Sequence, residues 1–319
     1  MPAHLVYATT PVEFKAPILV GQLRDPRWAG VSGLASSYTN PGVWWIHNDG
    51  GAGISEAGKF YAIRTNGRLL QEITLAGVSA LQRQGQGSVD VEDVATGPGP
   101  EAGTYIYLGD IGGNRYTPFG RSTVRVFRVH EPYVDAQAGY QPVQVVTSYA
   151  TLTLSYPNDE RYDAETLMVD TNGDIYVVTK DGTTGTSRVF YVPSLPLNQD
   201  TATMTQVATL QFGSGALAEG GLAATSGDIS HKTNEAIIRT YNRIFLWQKL
   251  PDASWGETFT NTVPYILPLA PSRQYEAVAF TRKGVHIVDM NESIDGNAAI
   301  QYYARVVDGV DSVNGVDEE

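Results

Sequence analysis

Short apolar runs of four to eight residues recur along the whole chain, and turn residues cut each one off. The segments 59–64, 174–179, 235–240 and 243–248 are of this kind. Runs of this length, rich in β-branched and aromatic residues and bounded by Gly, Asn, Asp and Pro, predict strands. Amphipathic runs of helical length are hard to find. Thr65-Asn66-Gly67-Arg68, Thr171-Asn172-Gly173-Asp174 and Arg282-Lys283-Gly284 predict tight hairpins, because Asn-Gly supplies the positive φ that such turns need.

A repeat organises these runs. Val31-Ser32-Gly33-Leu34, Val91-Glu92-Asp93-Val94, Ala164-Glu165-Thr166-Leu167, Thr225-Ser226-Gly227-Asp228 and Tyr275-Glu276-Ala277-Val278 read as five copies of one strand start. They lie roughly 50 to 75 residues apart, the period of a ring of repeated sheets. Further strands follow each copy: 42–47, 59–64 and 69–75 after Ser32; 104–108, 124–129 and a longer strand within 143–154 after Glu92. Next come 174–179, 188–192 and 206–212 after Glu165, then 235–240, 243–248 and 262–267 after Ser226. Only 284–289 and 298–306 follow Glu276. The last repeat is one strand short, and the apolar segment 17–23 is unclaimed. The expected fold is therefore an all-β, five-bladed β-propeller over residues 1–307, closed by the N-terminal strand joining the last blade. Residues 308–319 read as an acidic flexible tail. A six-bladed ring would need a blade hidden in 133–162 or 194–226, and neither has enough strand signals.

Composition narrows the chemistry. The 319 residues include no cysteine, which removes disulfides, thiolate zinc sites, iron–sulfur clusters and cysteine nucleophiles together. A net charge of −12 lacks the positive footprint of a general nucleic-acid binder. No apolar run approaches the roughly 18 residues needed to span a membrane. The first residues show no basic segment followed by an apolar one, yet an extracellular or cell-surface setting is expected.

Propeller topology brings the starts of the first strands and the ends of the second strands to one face. Ser32, Glu92, Glu165 and Glu276, with Ser226 or Asp228 in the fourth repeat, then line a channel mouth. Oxygen donors converging on one axis suit a hard cation, Ca²⁺, which also relieves the repulsion between carboxylates. The same groups can instead cap neighbouring strands around a polar channel. Asp90 and Asp163 either support the ring or shape its loops.

A second ring comes from the ends of the second strands. Lys180, Arg239 and Arg115 lie there beside Asn48, Asp49, Asp110, Asn114 and Tyr241. This mixture suits a small anionic ligand or a saccharide. Were it catalytic, Asp49 or Asp110 would be the general base, and Arg239 with Lys180 would stabilise developing negative charge. The opposing reading is a structural ion-pair network. Loops on the other face, such as 36–42 and 170–173, read as ordinary turns.

Val91-Glu-Asp-Val-Ala-Thr-Gly-Pro-Gly-Pro, Tyr107-Leu-Gly-Asp-Ile-Gly-Gly-Asn and Tyr162-Asp-Ala-Glu-Thr-Leu resemble a family of bacterial propeller proteins of largely unassigned function. The pattern of Ser32, Glu92, Glu165 and Glu276 is similar to that of the calcium-activated nucleotidases (apyrases), five-bladed propellers that hold one Ca²⁺ with serines and glutamates. Five-bladed glycosidases, with paired carboxylates, are a third comparison, for which Asp49, Asp110 and Glu165 would serve. The expected function is a calcium-centred propeller with an anionic-ligand site, leaning to a hydrolase of phosphate esters, lactones or saccharides. Its rivals are a non-catalytic glycan- or protein-binding module and a structural or appendage component.

Overall fold

The computed structural model describes residues 12–49, 56–83, 89–113, 119–181, 183–213, 222–267, 274–292 and 295–306. Asn114, Arg115 and the expected tail 308–319 lie outside the described residues.

Strand β1 (Ile18–Gln22) precedes a first blade of β2 (Val31–Ser36), β3 (Val43–Asn48), β4 (Lys59–Arg64) and β5 (Leu69–Leu75). A short helix, α1 (Val78–Arg83), leads to the second blade: β6 (Val91–Pro98), β7 (Thr104–Asp110), β8 (Thr123–His130) and, after β9 (Gln144–Val146), β10 (Ala150–Ser155). The third blade is β11 (Ala164–Val169), β12 (Ile175–Thr179), β13 (Thr186–Val192) and, after β14 (Thr201–Thr203), β15 (Thr205–Gln211). The fourth is β16 (Ala224–Ile229), β17 (Glu235–Thr240), β18 (Arg243–Gln248) and, beyond helix α2 (Trp255–Asn261), β19 (Tyr265–Ile266). The fifth is β20 (Tyr275–Phe280), β21 (Ile287–Asn291) and β22 (Ala299–Tyr303). β1 completes it, antiparallel to β22, with Ile18 opposite Tyr302 and Gln22 opposite Ala299. The inner strands follow one another around a closed ring, β2 beside β6, β11, β16, β20 and β2 again. The chain is a five-bladed β-propeller.

The seams explain why these sequences choose this ring. Each blade buries both faces, so its strands carry apolar side chains on each side. Five apolar clusters fill the five seams. Trp45, Phe60, Ile106 and Phe127 pack between blades 1 and 2, and Ile237, Leu246, Phe280 and Tyr303 between blades 4 and 5. Each such side chain contributes about 1.5–3 kcal/mol by leaving water.

Three expectations shift. The longer strand within 143–154 divides: β9 lies parallel on β5 of blade 1, and β10 alone serves blade 2. β14 crosses back in the same way to lie parallel on β10. The strand expected at 262–267 shrinks to β19, because α2 precedes it. At seven residues, α2 is too short to show a helical period, although Ser254 and Glu257 form its capping box.

Each inner strand also carries a bulge near its start, between Ser32 and Leu34, Val91 and Asp93, Ala164 and Thr166, Ala224 and Ser226, and Tyr275 and Ala277. An extra residue re-aims the side chains around it. Val31, Val91, Ala164, Ala224 and Tyr275 oppose the last paired residues of their second strands. The next residue in each case is Ser32, Glu92, Glu165, Thr225 or Glu276. The fourth-blade counterpart is therefore Thr225, neither Ser226 nor Asp228.

Candidate functional site

One layer inside that ring, the five strands present Gly33, Asp93, Thr166, Ser226 and Ala277. Four are small, and Asp93 fills the axis. Its carboxylate accepts the backbone N–H of Val94 (3.0 Å), Leu167 (2.9 Å) and Gly227 (3.3 Å) and the Ser226 hydroxyl (3.2 Å). One fully buried side chain thus ties blades 2, 3 and 4 together. Burial holds the Asp93 carboxyl well above its usual range against the pull of these bonds. Ser226 also accepts the N–H of Val278 at 3.2 Å, so its hydroxyl braces three blades. Asp228, two residues deeper, accepts the N–H of Ile229 (2.8 Å) and of Phe280 (2.8 Å) in blade 5. Both residues brace inner strands and lie below the mouth layer.

The mouth itself is acidic. Asp49 follows β3, Asp90 precedes β6, and Glu92 is the extra residue of its bulge. One carboxylate oxygen from each lies within 4.8 Å of the other two. Asp90 is held from behind: its N–H donates to Asp110 (2.9 Å), and its carbonyl accepts from Gly112 (3.1 Å). A side chain at Gly112 would collide with the carboxylates of both Asp90 and Glu92. Glycine is what leaves them room. Glu92 Oε1 is buried and makes no hydrogen bond.

The rest of the ring divides into two further groups. The Lys180 ammonium pairs with Glu165 and donates to the Tyr241 hydroxyl at 2.8 Å. Tyr241 and Glu292 are both close enough to Glu276 to act on its carboxyl. Burial, then the charges of Glu165, Asp49 and Asp90, push the Glu92 carboxyl well above the ordinary range. Glu165 rises through burial and the neighbouring Glu276 and Asp163, although Lys180 opposes this. Glu276 is pushed up to about 7 by burial and Glu292. Burial alone would lower Lys180, but the Glu165 carboxylate and Tyr241 raise it. Among the described residues, six carboxylates thus crowd one mouth beside the Lys180 ammonium, and a bound cation would relieve their repulsion.

The other expected site residues are placed elsewhere. Asp110 is fully buried, with Arg121 Nη1 on one oxygen (2.7 Å) and Arg125 Nε on the other. It supports the loop of Asp90 and does not face the mouth as a general base would. Arg239 is also fully buried, in the seam of blades 4 and 5. Its guanidinium lies 4.2 Å from the Tyr275 ring centroid and 3.0 Å from Asp289, without a well-aligned hydrogen bond. The Asn48 amide donates to the Arg27 carbonyl (2.8 Å) and to Glu56 (3.2 Å), away from the channel. The Ser32 hydroxyl donates to the Glu92 carbonyl at 2.9 Å, and the Thr225 hydroxyl donates to the carbonyl of Tyr275, one residue before Glu276, at 3.0 Å. Asp90, Glu292, Thr225 and Gly112 are the additions. The signal for Asp90 was its place two residues before Glu92. Glu292 was visible only as one of several polar residues ending a second strand.

No protein-family model matches the chain, and no curated protein does. The likeness to the bacterial propellers and to the nucleotidases rests on the quoted motifs alone. Among the described residues, no helix is long and apolar enough to cross a membrane.

Proposed function

We propose that the channel mouth binds one divalent cation, Ca²⁺, between Asp49, Asp90 and Glu92, and uses it to hold an anionic ligand. The observation that carries this reading is the buried Glu92 oxygen that lacks a hydrogen bond, set within 4.8 Å of two further carboxylates. Among the described residues the three groups that converge there are carboxylates, which suits a hard cation with flexible coordination. The cation would supply positive charge toward a phosphate, carboxylate or uronate group, and Lys180 with Tyr241 lies beside it. The site is eccentric, between blades 1 and 2. Glu165 is drawn away by Lys180, and Glu276 by Tyr241 and Glu292. Binding in the weak range of extracellular calcium modules, about 10⁻⁴–10⁻³ M, would fit a secreted or cell-surface setting.

Calorimetric titration with Ca²⁺ tests the reading. The parent should bind one ion and melt at a higher temperature with it. Glu92→Gln and Asp90→Asn should each lose at least about tenfold in affinity, as expected when one of few charged ligands goes. No uptake at millimolar Ca²⁺, or equal binding by the variants, overturns it.

Hydrolysis of a phosphate ester, lactone or saccharide is the second reading. It is favoured by Lys180, Tyr241, Glu276 and Glu292, an ammonium, a phenol and two carboxyls gathered beside the cation site, with Lys180 donating to Tyr241. A raised carboxyl in such a group can serve as an acid or a base. Calcium-dependent turnover that Glu276→Gln abolishes without loss of Ca²⁺ binding would support it. Its absence leaves a binding module for glycan or protein.

A further inference from the structure

The face opposite the mouth holds a cavity of about 280 Å³ at the outer seam of blades 3 and 4. One wall is the β11–β12 turn, which supplies Asp170, Asn172 and Asp174, with Tyr176 and Tyr191 behind it on paired strands. The other wall is Lys249 and the start of α2, where Trp255 stands. The helix exists because the chain leaves β18 through a capped turn, and it leans on β15 of the neighbouring blade.

We infer that this cavity is a second binding site, which takes a single neutral pyranose unit of a saccharide. Size comes first: the volume falls at the small end of the roughly 300–1,000 Å³ of ordinary ligand sites, room for one ring. Charge comes next. Two carboxylates face one ammonium, which disfavours an anion. A small cation would meet Lys249, whose ammonium already stands 5.7 Å from the Trp255 ring centroid. A wholly apolar ligand would strip water from both carboxylates without replacing it. A sugar ring matches what remains, since its hydroxyls satisfy acids and amide while its C–H face lies against Tyr191, the part-exposed ring of the three.

The acceptors are fixed in place. Asp170 accepts the N–H of Asn172 (2.8 Å) and of Asp174 (3.1 Å), which locks the turn. Asp174 accepts the Tyr191 hydroxyl (3.1 Å) on one oxygen and the N–H of Ser194 (2.9 Å) on the other. Both bonds to Asp170 fall on its Oδ1, whereas each Asp174 oxygen takes a single donor and keeps a second lone pair for a ligand hydroxyl. Asn172, at the exposed tip of the turn, brings a donor and an acceptor. The cavity shares no residue with the mouth, so its occupation does not depend on calcium.

Ligand-observed NMR and calorimetry with glucose, galactose, mannose and N-acetylglucosamine test the inference on calcium-free protein. At least one sugar should bind with a dissociation constant on the order of 1 mM. Asn172→Ala and Lys249→Ala should each weaken it about tenfold or more while circular dichroism stays that of the parent. Glu92→Gln should bind the sugar as the parent does, which separates this site from the mouth. Failure of all four sugars, or binding unchanged in both cavity variants, overturns the inference. So does binding of free glycine, a zwitterion, in place of every sugar.

Discussion

At the scale of the residue, the chain places charge in its interior and surrounds it differently each time. Asp110 has two guanidiniums and a backbone N–H. Arg239 has one carboxylate and one aromatic face. Burial pushes the Asp289 carboxyl up to about 6 although Arg239 pulls it down. Removing one member of a buried pair strands the other in a dry seam, which costs about 3–5 kcal/mol, whereas removing both charges is often close to neutral. Arg239→Met should therefore lower the unfolding free energy by about that much, and Arg239→Met with Asp289→Asn should recover most of the loss. Urea denaturation of the parent, the single and the double variant checks this, and additive losses would refute the coupling. Sequence marked both Arg239 and Asp110 as polar residues at strand ends. It could not tell a seam from a mouth, because successive residues of a strand point to opposite sides and the bulges shift that count.

At the scale of the element, closure depends on a short strand. β1 is half-exposed and has only five residues, yet it joins the two ends of the ring. Gly21 allows this, because a side chain there would collide with the backbone of Thr65 and Asn66 in the β4–β5 turn. Gly21→Ala should push β1 from its seat. Hydrogen exchange should then quicken in β1 and β22 first, while β7, at the centre of blade 2, keeps its protection. Equal exchange throughout would mean that closure rests elsewhere. The strand was legible as an unclaimed apolar run before the first repeat, as were β4, β5, β17 and β18 over their whole lengths. The crossovers β9 and β14 were not. Each has three residues, fewer than the run of at least four by which a strand announces itself, and each is held by a neighbouring blade's edge.

At the scale of the whole molecule, buried acids set the response to pH. Burial pushes the Asp228 carboxyl up to about 7, from an ordinary 3.8, against the pull of its two backbone hydrogen bonds. A carboxyl with a raised pKa binds more protons in the folded chain than in the unfolded one. Between pH 4 and 7 it therefore subtracts stability as pH rises. The calcium-free parent should lose stability from pH 5 to pH 8, and Asp228→Asn should lose less over the same interval. Thermal melts at the two values measure the difference, and parallel slopes would refute it. The ring of acids was legible in sequence as a periodicity. Its division into a cluster of three carboxylates, an ion pair and a carboxyl pair was not, because that depends on which side chains meet across blades. Asp93 shows the gap most clearly, since it stands beside Glu92 in the second copy of the motif yet belongs to another layer.

Asp93 also makes three repeats answer to one side chain. Its carboxylate is bonded within blade 2 and to blades 3 and 4, so a single group spans two seams at once. The acids above it rest on a floor that three blades hold in common, and a displacement of one of those blades is passed to the other two.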